Sequence, residues 1–518
     1  MVDGESARRD FGWYRAQRAA NANEVRAGAW WADPNRGSAP WWPSRSSTPR
    51  EFALPDETLP GEPLDGEATA DRPGRRPIGP AMAAAIALLA ILIVIARVSD
   101  PTKLSRVLVP LIGLLGAIGF ASWLKPRHPE EPWLGRYLIW AMIVKIVGTI
   151  LRYTTLLKKG QLGDASVYDI YGKRYANTWL GRSKFAAPAL ANLKSSNFLR
   201  WFTGIVYYLS GRDLITGFFV FSLIAFVGSY LWYRAATVAV PFLDRKLFFL
   251  LMFFAPSIVF WPAGVGKEAL VEFGLGGVAL GVAYMLNGNM LYGLLVSLPG
   301  AWLTYVVRAH LLGLSLVAMA FSYVVGRQKK TASVTSSLAK PIGIVVVVIL
   351  AVFGVTQGAK RLHITALTPS AIQNELQATS VSTTQEHSKF TTNVSLSPLH
   401  LPQDAVTVLL RPFPWEVQSK NQILASLEGI GLAAFIFIRR KSVALSLRKV
   451  REVPFLLYAW ILTTFNVLLF QAFGNFGLLV RERSIVLPAL YILVALDVNR
   501  ARRADEARQA ARALEPWR

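Results

Sequence analysis

The chain has 518 residues, 53% of them hydrophobic, with a mean hydropathy of +0.36 and a net charge of +24. So apolar a composition excludes an ordinary soluble globule and predicts an all-α bundle that crosses a bilayer many times. The absence of cysteine excludes disulfides, thiolate metal sites and a cysteine nucleophile, and the five histidines show no metal-ligand spacing.

Residues 1–79 are rich in Pro, Gly, charge and small polar groups and predict a disordered cytoplasmic tail. Apolar stretches then recur at 81–97, 106–124, 136–153, 214–233, 246–261, 268–286, 290–305, 309–325, 341–357, 423–438, 454–472 and 484–498, about twelve expected spans within a membrane domain of residues 80–500. Alternate connections such as "GRQKKTASVTSSLAK" and "RRKSVALSLRKVR" are rich in Lys and Arg, as is the tail 501–518. By the positive-inside rule both termini are then cytoplasmic in a cell membrane, and the high net charge reflects anionic lipid rather than nucleic acid. The segments 154–213 and 358–422 become long external loops. No Walker A sequence and no GxGxxG after a strand is present, which argues against nucleotide-driven work.

Several external turns carry chemistry. In "QLGDASVYDIYGKRYA", Asp164 and Asp169 flank Tyr168; each suits a general base toward a sugar hydroxyl, or simply a helix cap. In "WPAGVGKEA", a chain broken by Pro and Gly launches a helix at Lys267 and Glu268, with Glu272 one turn on. A helix amino terminus beside a lysine favours an anion, although Lys267 could equally snorkel to the interface. "YVVRAHL" puts Arg308 and His310 at the tip of two short spans, and arginine there suits phosphate. "RPFPWE" presents Arg411, Trp415 and Glu416, with Trp415 a sugar-stacking platform or an interfacial anchor. "FGNFGLLVRERSIVLP" adds Asn475, Arg481, Glu482 and Arg483, the two arginines again suiting an anion. All fall on one side of a single topology.

Taken together, "GDASVYDIYGKRYA", "PSIVFWPAGVGKEAL", "LLRPFPWE" and "GNFGLLVRERSIVLP" resemble polytopic glycosyltransferases of the GT-C superfamily, in particular membrane glycosyltransferase-like proteins of actinobacteria. The resemblance covers roughly residues 80–500. It implies transfer of a sugar from a polyprenyl-phosphate carrier to a cell-envelope glycan or lipid-linked acceptor. In that scheme Asp164, with Asp169 as second choice, is the catalytic base. Lys267, Arg308, Arg481 and Arg483 bind the donor phosphate, and Glu268, His310, Arg411, Trp415 and Glu416 contact substrate. Two departures stand: the acidic loop follows the third span rather than the first, and no DxD motif appears, which leaves the cofactor unknown and a divalent metal open. A lipid-linked polysaccharide polymerase would also use external arginines. A flippase would place polar groups along a path through the midplane.

Overall fold

The structure, a computed structural model, describes residues 104–158, 163–185, 193–326, 336–361, 368–384, 389–390, 392 and 394–514. The tail 1–79 and the expected span 81–97 lie outside these residues. Among the described residues the fold is all helical, with only isolated bridges between Leu243 and Leu496 and between Lys389 and Asn475. Among the described residues five helices are long and apolar enough to cross a membrane: α1 (Ser105–Leu124), α2 (Leu134–Lys158), α5 (Leu214–Ala239), α8 (Lys267–Leu286) and α9 (Met290–Val325). The amphipathic pair α3 (Asp164–Trp179) and α4 (Ser196–Ser210) packs together between α2 and α5 in the chain.

Among the described residues, several of the other expected spans are broken or shortened for local reasons. The stretch 246–261 is divided at Ala255–Pro256 into α6 (Arg245–Phe254) and α7 (Pro256–Phe260), because proline has no N–H to continue the ladder. The expected spans 290–305 and 309–325 form the two legs of α9, which leaves helical geometry between them at Arg308 (φ −147°, ψ 77°). Helix α10 (Ser336–Arg361) is followed by the short α11 (Pro369–Thr383) and α12 (Leu401–Leu410). Helix α13 (Lys420–Ile438) then meets α14 (Arg440–Arg448) at 62°. Helix α15 (Pro454–Phe470) is apolar but has only 17 residues. Helix α16 (Phe476–Val494) carries Arg481, Glu482 and Arg483, and the basic α17 (Val498–Leu514) follows it.

Arg308 is where α9 turns back. Its 36 residues would extend about 54 Å if straight, nearly twice a hydrocarbon core of about 30 Å. Both of its ends lie at one end of the bundle. Asn287, just before it, donates to the Val238 carbonyl, and Gly326, just after it, packs on Pro454. The same end holds the Arg245–Glu131 pair, the Lys449–Asp505 pair and the Arg439 hydrogen bonds to the Val494 and Leu496 carbonyls. Arg308 sits at the opposite end, beside Lys267.

Helix α8 is mostly apolar and is the most enclosed of these five helices, flanked by α5 and α9. It approaches α9 backbone to backbone: a Cβ on Gly300 would stand 2.5 Å from the Gly274 carbonyl and 3.1 Å from Gly277 Cα. Small residues allow this closeness, which is how helices associate when lipid offers no hydrophobic drive. The close packing fixes Lys267, at the first turn of α8, against the bend of α9.

Candidate functional site

The turn Trp261–Gly266 ends in the extended Gly266 (φ −172°) and releases the chain into α8. Glu268 follows at once and is only 2% exposed. A carboxylate so deep must be paired. It accepts Arg481 at 2.8 Å and Arg308 at 3.2 Å. Arg308 also binds Glu482 with both terminal nitrogens, one of them at 2.6 Å. Arg481 reaches on to Asp164 at 3.6 Å. Four separate places in the chain, Asp164, Glu268, Arg308 and Arg481–Glu482, are thereby joined in one ionic cluster.

Lys267 is the exception within it. Its Nζ donates to the Ser195 hydroxyl at 3.1 Å, and it makes no ion pair among the described residues. Ser195 is itself held by its N–H, which donates to the Val306 carbonyl at 2.7 Å just before the α9 bend. Ser195 adopts a left-handed backbone (φ 52°), a conformation that costs a non-glycine residue energy and persists where surrounding contacts enforce it.

A cavity of about 610 Å³ opens beside these groups. One part is polar, formed by Ser195, Lys267, Arg308, His310 and Glu482. The rest is walled mainly by apolar side chains of α9, α10, α11 and α15, including Leu314, Val355, Leu376, Leu468 and Phe470. Its size suits a ligand, and its division into a cationic head and an apolar body suits an amphiphile.

The expected site residues divide into those brought together and those held apart. Asp164, Lys267, Glu268, Arg308, His310 and Arg481 lie in or around the cluster and cavity. Asp164 opens α3 and is 62% exposed, so it is the accessible carboxylate. Asp169 is engaged elsewhere: it accepts the Tyr207 hydroxyl at 2.6 Å and pairs with Lys173 at 2.7 Å. Burial, and then the Asp169 charge, push the Tyr207 phenol well above its usual range. Arg483 faces away from the cavity. It is fully buried, donating to the Leu409 carbonyl at 2.8 Å and to Glu428 at 3.1 Å. Arg411 and Glu416 pair with each other at 2.6 Å, and the Arg411 guanidinium lies over the Phe390 ring. Trp415 stacks on Phe413 and is 80% exposed.

The sequence reading passed over Ser195 and two cations inside α2, Lys145 and Arg152, and gave Glu482 a place on the external face but no role. For the cations the signal is legible: basic residues interrupt the expected span 136–153, and charge at such depth has a reason. Ser195 carries no such mark. Among the described residues no group of three or more His, Asp or Glu side chains is arranged to hold a metal ion.

The fold and site define a class: an all-helical protein with several helices of membrane-crossing length and composition, and a buried ionic cluster bordering an amphiphilic cavity. No family model matches the chain, and neither a curated protein nor a solved structure matches it.

Proposed function

We propose that the protein is a polytopic membrane glycosyltransferase of the GT-C kind. It transfers a sugar from a polyprenyl-phosphate donor to a cell-envelope glycan or lipid-linked acceptor at the external face. In this reading the bundle crosses the membrane about twelve times, with both termini cytoplasmic. The observation that carries it is the cavity, which sets a lysine without an ion pair beside apolar walls. Lys267 takes the phosphate, and the isoprenoid tail lies along α9, α10, α11 and α15.

The reaction is an inverting displacement. The acceptor oxygen forms a bond to the anomeric carbon as the bond from that carbon to the phosphate oxygen breaks. The bonding pair leaves with the lipid phosphate, and the acceptor proton passes to the Asp164 carboxylate. Lys267, with Arg308 behind it, meets the charge that develops on the leaving phosphate. A polymerase acting on lipid diphosphates fits less well, because Arg308 and Arg481 are already engaged by carboxylates.

The test is transfer of labelled sugar from polyprenyl-phosphate donors in membranes containing wild type, Asp164→Asn or Lys267→Ala at matched expression. Loss of the base lowers kcat by about 10²-fold or more, and loss of the phosphate cation by a similar factor. Full activity in both variants overturns the site assignment. Absence of transfer with every donor, together with accumulation of lipid-linked intermediates in a deletion strain, would favour the polymerase or flippase.

A further inference from the structure

Lys145 and Arg152 take no part in the cluster's ion pairs, yet both reach one short stretch of backbone. Lys145 Nζ donates to the carbonyls of Ile258 at 3.0 Å and Val259 at 3.3 Å. Arg152 Nη1 donates to the carbonyl of Phe260 at 2.9 Å and also to that of Trp261. The two cations are seven residues apart, about two helical turns, so they share a face of α2. The carbonyls they bind lie at the end of α7 and its C-cap, where helical partners run out; that of Phe260 also accepts from the Ala263 N–H at 3.2 Å. The Arg152 guanidinium also lies over the Phe260 and Trp261 rings, 5.5 and 5.3 Å from their centres.

A buried cation is costly, and an apolar residue would fill the same space more cheaply. What these two accomplish is downstream. The turn they hold, Trp261–Gly266, leads directly into Lys267 and Glu268. The turn is also pressed onto Arg152: a Cβ on Gly264 would stand 3.0 Å from Arg152 Nε and 2.9 Å from the Phe218 ring. Arg152 lies within electrostatic reach of Glu268 as well.

We propose that Lys145 and Arg152 are positioning residues, a clamp in α2 that fixes the carbonyl end of α7 and so sets where Lys267 Nζ and Glu268 stand. The functional weight of this clamp rests on the reading of Lys267 as the donor-phosphate cation. The geometric part does not, and the experiment separates the two.

The full-length protein in detergent is treated with a small amine-acylating reagent, and the Lys267 labelling rate is followed by peptide mass spectrometry across pH. Wild type, Lys145→Met, Arg152→Met, Arg152→Lys and Gly264→Ala are compared on the monodisperse fraction, with donor KM and kcat measured in parallel. Release of the clamp frees Lys267 from Ser195. Labelling in Arg152→Met and Lys145→Met is then expected to rise severalfold with a shifted pH profile, while kcat falls more than KM rises. Arg152→Lys recovers part of both effects, because one amine still reaches a carbonyl. Gly264→Ala disturbs the same contact without deleting a buried charge, and it decides the matter should the Met variants fail to fold. Wild-type Lys267 labelling in the folded variants would overturn the clamp. Altered labelling in the variants, where wild type itself transfers no sugar from any polyprenyl-phosphate donor, would uphold the clamp and overturn the glycosyltransferase reading.

Discussion

Arg481 and Arg483 are two residues apart in the sequence, and the structure gives them opposite tasks. The decisive perturbation is Arg483→Met. Arg483 is fully buried and binds the Leu409 carbonyl, the Arg411 carbonyl and Glu428 at 2.8, 3.3 and 3.1 Å. Removing one member of a buried ion pair costs about 3–5 kcal/mol, because the remaining charge is left uncompensated. Here the lower figure applies. Glu428 keeps two further donors, the Ser257 N–H at 2.7 Å and the Ser257 hydroxyl at 2.6 Å. A loss of about 3 kcal/mol is about two powers of ten in the folding equilibrium. It should appear in detergent as an earlier unfolding transition and a lower monodisperse yield. Adding Glu428→Gln removes the orphaned charge yet leaves an acceptor for Ser257. The double variant should therefore recover to within about 1 kcal/mol of wild type, since a buried pair and its neutral replacement are often close in energy. If Arg483→Met unfolds like wild type but no longer binds polyprenyl phosphate, Arg483 is a ligand residue and this reasoning fails.

Three further outcomes follow from the same contacts. Asp169→Asn should leave transfer near wild type and cost about 1 kcal/mol of stability, the worth of a weakened hydrogen bond, whereas Asp164→Asn loses transfer; equal loss in both would unseat Asp164 as the base. Tyr207 has its folded pKa raised by burial and by Asp169, so its contribution is fully present below the unfolded value of about 10 and is lost as pH rises beyond it. Melting curves from pH 8 to 11 should therefore show Tyr207→Phe less stable than wild type at pH 8 and the gap closing above about pH 10; a constant gap refutes the assignment. Ala359→Trp places an indole in the cavity wall and should raise donor KM about tenfold or more, equivalent to about 1.4 kcal/mol, with little change in yield.

The helices were legible in the sequence where apolar length alone decides. Helices α1, α2, α5 and α8 fall close to the expected spans because each is long, apolar and bounded by polar turns. Legibility ends where tertiary contacts choose. Nothing local says that Arg308 would leave helical geometry and reach Glu268, 40 residues away, and Glu482, 174 away. The grouping of Lys267, Arg308 and Arg481 was readable only as a shared side of one topology. That Arg481 and Arg483 part follows from the helix period, but which of them meets the cluster does not. Residues two apart on a helix point about 200° from each other, so one faces the cluster and the other the buried Glu428, and choosing between them requires the neighbours. Asp164 and Asp169 were separated by a similar circumstance, the Tyr207 hydroxyl arriving from α4.

The arrangement of charge narrows what the cavity can hold. Around Glu268, the cations Lys267, Arg152, Arg308 and Arg481 outnumber the carboxylates Asp164, Glu268 and Glu482. The carboxylates fix the arginines in place, so a ligand meets charges that need no reorganisation. In the cavity lining itself Lys267 and Arg308 stand with the carboxylates Glu375 and Glu482, so it is Lys267, which makes no ion pair among the described residues, that argues for an anion rather than a neutral sugar or a cation. A sugar nucleotide would satisfy that end and leave the walls around Leu314, Leu468 and Phe470 facing a polar base and ribose. A lipid phosphate satisfies both, since its tail takes those walls out of water at about 25 cal/mol for each Å² covered. The requirement for both ends at once is what favours a lipid-borne donor over a soluble one.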